Sequence, residues 1–175
     1  MTTLLVSVLC PDRTGLVAAI SGRLFELGAN LGDTSFAVLG GGAEFTSVCE
    51  LPGRAADETA EVAEALRALP ELARSTVEVR PFRFDPASGS SGRVTHRIVL
   101  SGGDRPGLIA RLSEVFVQFK ANIVRLDAQR IPASEGGRYV TRFSVSIPER
   151  NEQSCLNTVA NTAGELNLTC HWEQA

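Results

Sequence analysis

Two short turns carry the residue types that most directly indicate a binding site. Residues 12–16 read Asp-Arg-Thr-Gly-Leu and residues 104–108 read Asp-Arg-Pro-Gly-Leu, and each turn precedes apolar residues at helical spacing. Free N–H groups in the first turn of a helix carry partial positive charge, which suits a carboxylate or a phosphate. A glycine at this point lets a ligand or another backbone segment approach closely. The turns therefore predict binding of a small anionic group, and a helix start with only a structural role is the alternative.

The polar side chains around these turns have local roles that we also predict. Asp12 and Asp104 are expected to cap the helices, and Pro106 is expected at the first helical position, where no N–H is needed. Asn30 and Asn122 follow the helices, and each serves either as a left-handed C-cap or as a partner for a ligand's ammonium and carboxylate groups. The candidate ligand-binding residues are Asp12, Arg13, Thr14, Gly15, Leu16, Asn30, Asp104, Arg105, Pro106, Gly107, Leu108 and Asn122.

Other reactive residue types form no pattern that indicates chemistry. His96 and His171 are single and far apart, so we expect no metal site, no catalytic residue and no cofactor. The glycines at 40–42 lack the Lys-Ser/Thr of a phosphate loop and predict a hairpin turn. Cys10 and Cys49 fall at the ends of two strands that should be neighbours, and we interpret them as small buried apolar residues, with a redox pair as the alternative.

The elements that position the two turns occur twice in the chain. Residues 11–31 and 103–123 match at an offset of 92 with 8 identities in 21 positions and no gap. Residues 85–92 read Asp-Pro-Ala-Ser-Gly-Ser-Ser-Gly, which is typical of a flexible linker. We therefore predict one domain at 1–84, a linker at 85–92 and a second domain at 93–175.

Each copy predicts the element order β-α-β-β-α-β. The predicted elements of the first copy are a strand at 4–9, a helix starting at 16 and ending near Gly28, a hairpin at 32–51, a helix marked by Val62, Leu66 and Leu69 and ended by Pro70, and a strand at 75–84. Those of the second copy are a strand at 95–101, a helix at 106–120, a hairpin at 123–147, a helix at 152–163 and a strand at 166–172. This order is the ferredoxin-like α+β fold, with both helices on one face of an antiparallel sheet. The other face of the sheet and its edge strands then need cover.

Composition limits the class of protein. The chain has 175 residues, 43% of them apolar, with a net charge of −3 and a pI near 5.5. This balance is typical of a globular protein and provides no positive field for nucleic acid or an anionic membrane. The longest apolar runs are far shorter than a bilayer span, and no signal peptide is evident. We therefore expect a soluble, cytoplasmic protein.

Each copy has a strand, the sequence Asp-Arg-x-Gly-Leu, a helix, and then a small residue followed by Asn and a hydrophobic residue. This duplicated pattern resembles the ACT domain of amino-acid metabolism. The resemblance covers nearly the whole chain. With its two linked units, the chain is similar to tandem ACT proteins of the glycine cleavage system transcriptional repressor type. Thr14 departs from the pattern, because the second copy, like many family members, has proline there (Pro106). The two turns therefore differ at this position.

The resemblance implies that the two units pair side by side into one eight-stranded sheet and bind a small amino acid, of the glycine or serine class, in the seam. Two-fold pairing would place loop 12–16 opposite Asn122 and loop 104–108 opposite Asn30. The implied function is non-catalytic allosteric regulation of a protein partner, a transcription factor that controls glycine cleavage genes. A detached regulatory subunit of an amino-acid enzyme and an enzyme on the same scaffold are the alternatives, and homodimerisation is left open.

Overall fold

The computed structural model describes residues 1–53, 57–85 and 92–175. The chain divides into two units, Met1–Pro86 and Ala87–Ala175. The linker predicted at 85–92 lies outside the described residues except for Asp85 and Gly92, and it stays a prediction.

The first unit contains one four-stranded antiparallel sheet and two helices. Its elements are β1 (Thr2–Pro11), α1 (Leu16–Glu26), β2 (Asn30–Leu39), β3 (Gly42–Leu51), α2 (Glu58–Arg67) and β4 (Thr76–Pro81). The strands lie in the order β2-β3-β1-β4, so that β2 and β4 form the edges of this sheet. The hairpin predicted around the glycines at 40–42 is confirmed, because β2 and β3 pair antiparallel up to Leu39 opposite Gly42.

The second unit repeats this order. Its elements are β5 (His96–Gly102), α3 (Leu108–Gln118), β6 (Asn122–Arg130), β7 (Tyr139–Ser146), α4 (Glu152–Glu165) and β8 (Leu168–Gln174). The strands lie in the order β6-β7-β5-β8 and all pair antiparallel. The predicted fold class, two ferredoxin-like βαββαβ units, is therefore confirmed.

The core of the first unit follows from the alternation of residues along β1. Leu4, Val6 and Val8 are buried and pack in the same cluster as Leu16 and Ile20 of α1. Burying one such side chain contributes about 1.5–3 kcal/mol. The second unit has an equivalent cluster around β5 and its two helices. The register of the central strand therefore decides which face of each sheet receives the helices.

Some predicted boundaries are wrong for local reasons. β4 ends at Pro81 and not at residue 84: Phe82 still donates to the Thr3 carbonyl at 2.9 Å, but β1 begins at Thr2 and has no residue opposite Phe84. α3 starts at Leu108 and not at 106, because Gly107 has a left-handed backbone (φ 80°) that a right-handed helix cannot include. Pro106 therefore precedes the helix. β8 starts at Leu168, after a turn in which Asn167 has a φ of 55°.

The two cysteines on neighbouring strands are too far apart for a disulfide. Cys10 lies opposite Ala43, whereas Cys49 lies opposite Leu4, six residues along β1. This spacing is about 20 Å, and a disulfide needs a Cα separation below about 7 Å. Both thiols are buried, and burial raises the pKa of each. Their interpretation as small buried apolar residues accounts for this environment.

The first helix of each unit ends in the same backbone motif with different residues. In α1, Gly28 donates to the Phe25 carbonyl and Ala29 donates to the Leu24 carbonyl, and Gly28 has a φ of 80°. In α3 the equivalent left-handed residue is Lys120, with a φ of 56° and the same pair of hydrogen bonds. Glycine adopts this conformation without the steric cost that a side chain adds. Lys120 is therefore strained where Gly28 is not.

Replacing the strained residue is expected to stabilise the second unit. Lys120→Gly should raise the free energy of unfolding by about 1 kcal/mol, because the relief of left-handed strain exceeds the extra entropy of the unfolded glycine. Urea unfolding followed by circular dichroism measures this change. Gly28→Lys is the matched control in the first unit and should lower the free energy of unfolding. A Lys120→Gly variant that is less stable than the wild type would contradict the assignment of strain.

Candidate functional site

The loop after β1 is attached to the tip of the neighbouring hairpin. The Asp12 N–H donates to the Gly41 carbonyl at 3.1 Å, and Pro11 pairs opposite Gly42. This contact holds residues 12–15 at one end of the sheet, beside the turn that joins β2 and β3. The candidate loop therefore has an anchored beginning and ends at the first residue of α1.

A left-handed glycine turns each loop into its helix. Gly15 has a φ of 93° and Gly107 a φ of 80°, and each is the N-cap residue of its helix. The first helical bonds run from Ala19 to the Gly15 carbonyl at 2.9 Å and from Arg111 to the Gly107 carbonyl at 3.0 Å. A Cβ added at either glycine would meet no atom within 4 Å. The requirement for glycine is therefore the backbone angle and not a lack of space.

The start of α1 leaves several N–H groups available. Within the described part of the chain, the N–H groups of Leu16, Val17 and Ala18 have no hydrogen-bond partner, and the first turn carries no acidic side chain. In α3, Leu108 donates to the Arg105 carbonyl at 3.3 Å, and the N–H groups of Ile109 and Ala110 have no partner among the residues that the structure describes. The positive end of each helix dipole is thus not neutralised by a nearby carboxylate of its own first turn.

An open hollow lies beside the first of these helix starts. It has a volume of about 280 Å³ and is lined by residues 12–18 of the loop and helix and by Phe36 of β2. The Phe36 side chain is 40% exposed and was not among the residues predicted from the sequence. The sequence signal that could have identified Phe36 is its alternation with Val38, which indicates an apolar side of a strand. Nothing in the sequence, however, places β2 beside the loop. A water molecule takes up about 30 Å³ in the liquid, so the hollow accommodates a solute of several heavy atoms.

The two aspartates do not cap their helices, so that expectation is wrong. The N-cap residues are glycines, and neither makes a side-chain capping bond. The Asp104 carboxylate instead forms an ion pair with Arg130 at the end of β6. Asp12 forms no side-chain hydrogen bond or ion pair with the other residues that the structure describes. The two loops therefore share a backbone but differ in the environment of their carboxylates.

Asn30 and Asn122 are exposed and start β2 and β6, opposite Glu50 and Ser146. Neither has a positive φ, so the alternative that they serve as left-handed C-caps is wrong. Gly28 and Lys120 occupy that position. Register places each asparagine on the sheet face away from the buried core positions.

Within one unit the loop and the asparagine lie at opposite ends of the sheet. Asn30 is opposite Glu50, which is opposite Thr3 of β1, whereas the loop follows Pro11. Eight residues of strand separate the two ends, or about 26 Å. The first unit therefore does not bring its own asparagine to its own loop, and the second unit repeats this arrangement. The other candidates on the two loops, among them Arg13, Thr14 and Arg105, are exposed.

Among residues 1–53, 57–85 and 92–175, no group of three or more His, Cys, Asp or Glu side chains is placed to hold a metal ion. No helix in the same ranges is long and apolar enough to cross a membrane.

The fold and the two loops define a protein of two ferredoxin-like units, each with a strand-to-helix turn at a left-handed glycine. Residues 2–80 match the ACT domain family. The first unit is therefore an ACT-type domain, and the second unit repeats its fold.

Two crystal structures share this fold over the whole chain. An unknown protein from Galdieria sulphuraria is 23% identical, with a TM-score of 0.72, and the match covers 99% of this chain and 98% of that one. A candidate glycine cleavage system transcriptional repressor is 15% identical, with a TM-score of 0.67, and the match covers 99% and 97% of the two chains. None of the curated proteins matches the sequence.

Substitution of the turn glycines is expected to destabilise the protein. Gly15→Ala and Gly107→Ala should each lower the free energy of unfolding by about 1–2 kcal/mol, because alanine pays the steric cost of the left-handed region. Urea unfolding of each variant measures the effect. Gly22→Ala is the matched control, because Gly22 is exposed in the interior of α1 and alanine should stabilise the helix there by about 0.5–1 kcal/mol. Equal responses at positions 15 and 22 would show that the turn does not require its left-handed glycine.

Proposed function

We propose that this protein is a non-catalytic regulator that binds a small amino acid of the glycine or serine class at its two strand-to-helix loops. The observation that carries the proposal is the set of N–H groups at Leu16, Val17 and Ala18, which lack partners in the described structure and border the hollow beside Phe36. An amino-acid carboxylate accepts hydrogen bonds from such groups, and the helix dipole favours its charge. Membership of the first unit in the ACT family supports an amino acid as the ligand.

The arginine of each loop supplies a second contact to the carboxylate. Arg13 and Arg105 are exposed and adjacent to the turns that start α1 and α3. A guanidinium pairs with a carboxylate through two parallel hydrogen bonds, which adds both free energy and orientation. In this proposal the main-chain N–H groups fix the position of the carboxylate, and the arginine closes over it from solvent.

The ammonium group of the ligand requires acceptors from another unit. Because Asn30 lies about 26 Å along the strand from loop 12–16, we propose antiparallel side-by-side pairing, in which that loop meets Asn122 and loop 104–108 meets Asn30. The exposed apolar residues on the edge strands support this pairing, since Phe36 and Val38 on β2 and Leu126 on β6 need cover. Edge strands with apolar side chains commonly pair with another chain or unit.

The two sites of this proposal have unequal affinities. The hollow of the first loop is lined by Phe36, whereas the equivalent register position in β6 is Ala128. Asp104 is already paired with Arg130, and Pro106 removes one N–H that Thr14 retains. The Leu16 N–H is also without a partner in the described structure, whereas the Leu108 N–H is bonded to Arg105. A ligand therefore has more apolar contact and more main-chain donors at the first loop, and we propose that this loop binds more tightly.

Regulation follows if the filled seam stabilises one arrangement of the units over another. Only a difference in ligand affinity between two arrangements shifts their populations, and a partner that recognises one arrangement reads that shift. We propose that the partner is a transcription regulator of glycine cleavage genes. The full-length similarity of fold to a candidate repressor of that system supports this choice of partner.

Calorimetric titration tests ligand binding and the named residues. Glycine and serine should bind the wild type, and Arg13→Ala should weaken binding by about tenfold or more, because the paired hydrogen bonds of the guanidinium to the carboxylate are lost. Arg105→Ala should have a smaller effect. Asn30→Ala and Asn122→Ala should also weaken binding, because the proposed pairing places their amides at the ammonium group of the ligand.

The matched control for the asparagines is Asn161→Ala, which removes an exposed amide on α4, outside both loops. Identical titration curves for the wild type, Arg13→Ala and Arg105→Ala would exclude the loops as the binding site. Unchanged binding by the asparagine variants alone would exclude the amides and leave the loop contacts in place.

A pull-down from the native lysate tests regulation. The full chain should retain a transcription regulator, and addition of glycine should change the amount retained, because ligand binding and partner binding are thermodynamically linked. The Arg13→Ala variant should retain the partner but lose the response to glycine. Retention of a large catalytic enzyme of amino-acid metabolism instead would identify the chain as a detached regulatory subunit and overturn the proposed target.

A further inference from the structure

Each sheet has one face that packs against the helices and an opposite face, here called the open face. In the first unit the open face consists of the strand residues that alternate with the buried ones. The side chains at its centre are either apolar or small, and they are Leu5, Ser7, Leu9, Thr46 and Val48. Leu9 is 54% exposed on this face. An exposed apolar centre of this kind is more typical of an interaction surface than of a solvated sheet face.

The charged residues around this centre are mainly acidic. By register, Glu44, Glu50 and Glu78 lie on the open face of the first unit, together with one guanidinium, that of Arg80. None of these four side chains forms an ion pair with another residue in the described ranges. The first open face therefore carries an excess of negative charge that its own unit does not neutralise.

The open face of the second unit also has an apolar or small centre surrounded by charged residues, but its excess charge is positive. Its centre is formed by Val99, Ser101, Val140 and Ser144, and Val99 is 36% exposed. The charged residues of this face are Arg97, Arg125, Arg142, Asp127 and Glu173, with His171 beside them. Arg142 pairs with Asp127 at 3.2 Å and Arg97 pairs with Glu173 at 3.8 Å. Each of these pairs contains one positive and one negative charge, so that Arg125 leaves the face with an excess of positive charge.

We propose that the two open faces are an interaction surface for a second copy of this chain, in which the acidic open face of each copy packs on the basic open face of the other. The acidic residues surround an apolar centre, as do the basic ones, and this is the usual anatomy of a protein interface. A two-fold axis forms both contacts at once, because each copy supplies one face of each kind. This interaction does not use loops 12–16 and 104–108, and Asn30 and Asn122 lie at the edges of the open faces, on β2 and β6.

The area of the faces agrees with a dimer that uses both contacts. Four strands of about seven residues give a face of roughly 19 Å by 23 Å, or about 440 Å². One such face per copy is only about half of the 800 Å² that each partner buries in a typical stable interface. Two faces per copy reach this value. We therefore expect both contacts to be required for a stable dimer.

Sedimentation velocity of the full chain over a concentration series tests this proposal. The wild type should form a dimer in the micromolar range. Glu44→Lys with Glu78→Lys makes the acidic face basic and should weaken the dimer by about tenfold or more, because like charges then face each other. Arg97→Glu with Arg142→Glu should weaken it similarly. Combining all four substitutions exchanges the two charge patterns and should restore the dimer.

The matched control is Glu64→Lys with Glu114→Lys, which makes the same change in net charge on exposed helical positions. Circular dichroism verifies that each variant is folded. A wild type that is monomeric throughout the series would overturn the proposal. Charge-reversed double variants that dimerise as strongly as the control variant would also overturn it. Amino-acid titration of the same variants should match the wild type, so that failure of this proposal is distinguishable from failure of the proposed function.

Discussion

The left-handed glycine between the first strand and the first helix is the constraint on which each unit depends. At Gly15 and Gly107 the chain leaves a central strand and enters a helix in whose first turn several N–H groups have no acceptor among the described residues. A residue with a side chain adopts this backbone only with strain. The same angle that allows the fold to form therefore also leaves the start of the helix able to attract an anion.

Duplication has preserved the backbone of the two units more closely than their side chains. Both first helices end in the same hydrogen-bonded motif, although its left-handed position is Gly28 in one unit and Lys120 in the other. Both loops start their helices in the same way, although Asp104 is paired with Arg130 and Asp12 has no such partner among the described residues. Two similar loops with different surroundings are suited to two ligand sites of different affinity.

The sheets give each unit surfaces with different roles. The helices cover one face, where the alternating residues of β1 and β5 form the cores. The edge strands β2 and β6 expose apolar residues beside the candidate loops, and the open faces carry charges of opposite sign. A small two-layer unit has no further layer of its own with which to cover these surfaces. Its exposed edges and open face are therefore the natural places for contact with other units or chains.

The sequence by itself determined the duplication, the βαββαβ order and the position of both loops, because these depend on local spacing and on the special backbone freedom of glycine. It did not determine that Phe36 lines the hollow, that Arg130 pairs with Asp104, or that Cys10 and Cys49 lie six residues apart along the ladder. It placed the N-caps at Asp12 and Asp104, whereas the N-cap residues are Gly15 and Gly107. It ended the first helix correctly near Gly28 but did not indicate that Lys120 takes the equivalent left-handed position. These features depend on strand register and on which hairpin packs beside which loop. Only the tertiary structure decides them, because register brings together residues that are far apart in the chain and leaves little trace in the local pattern.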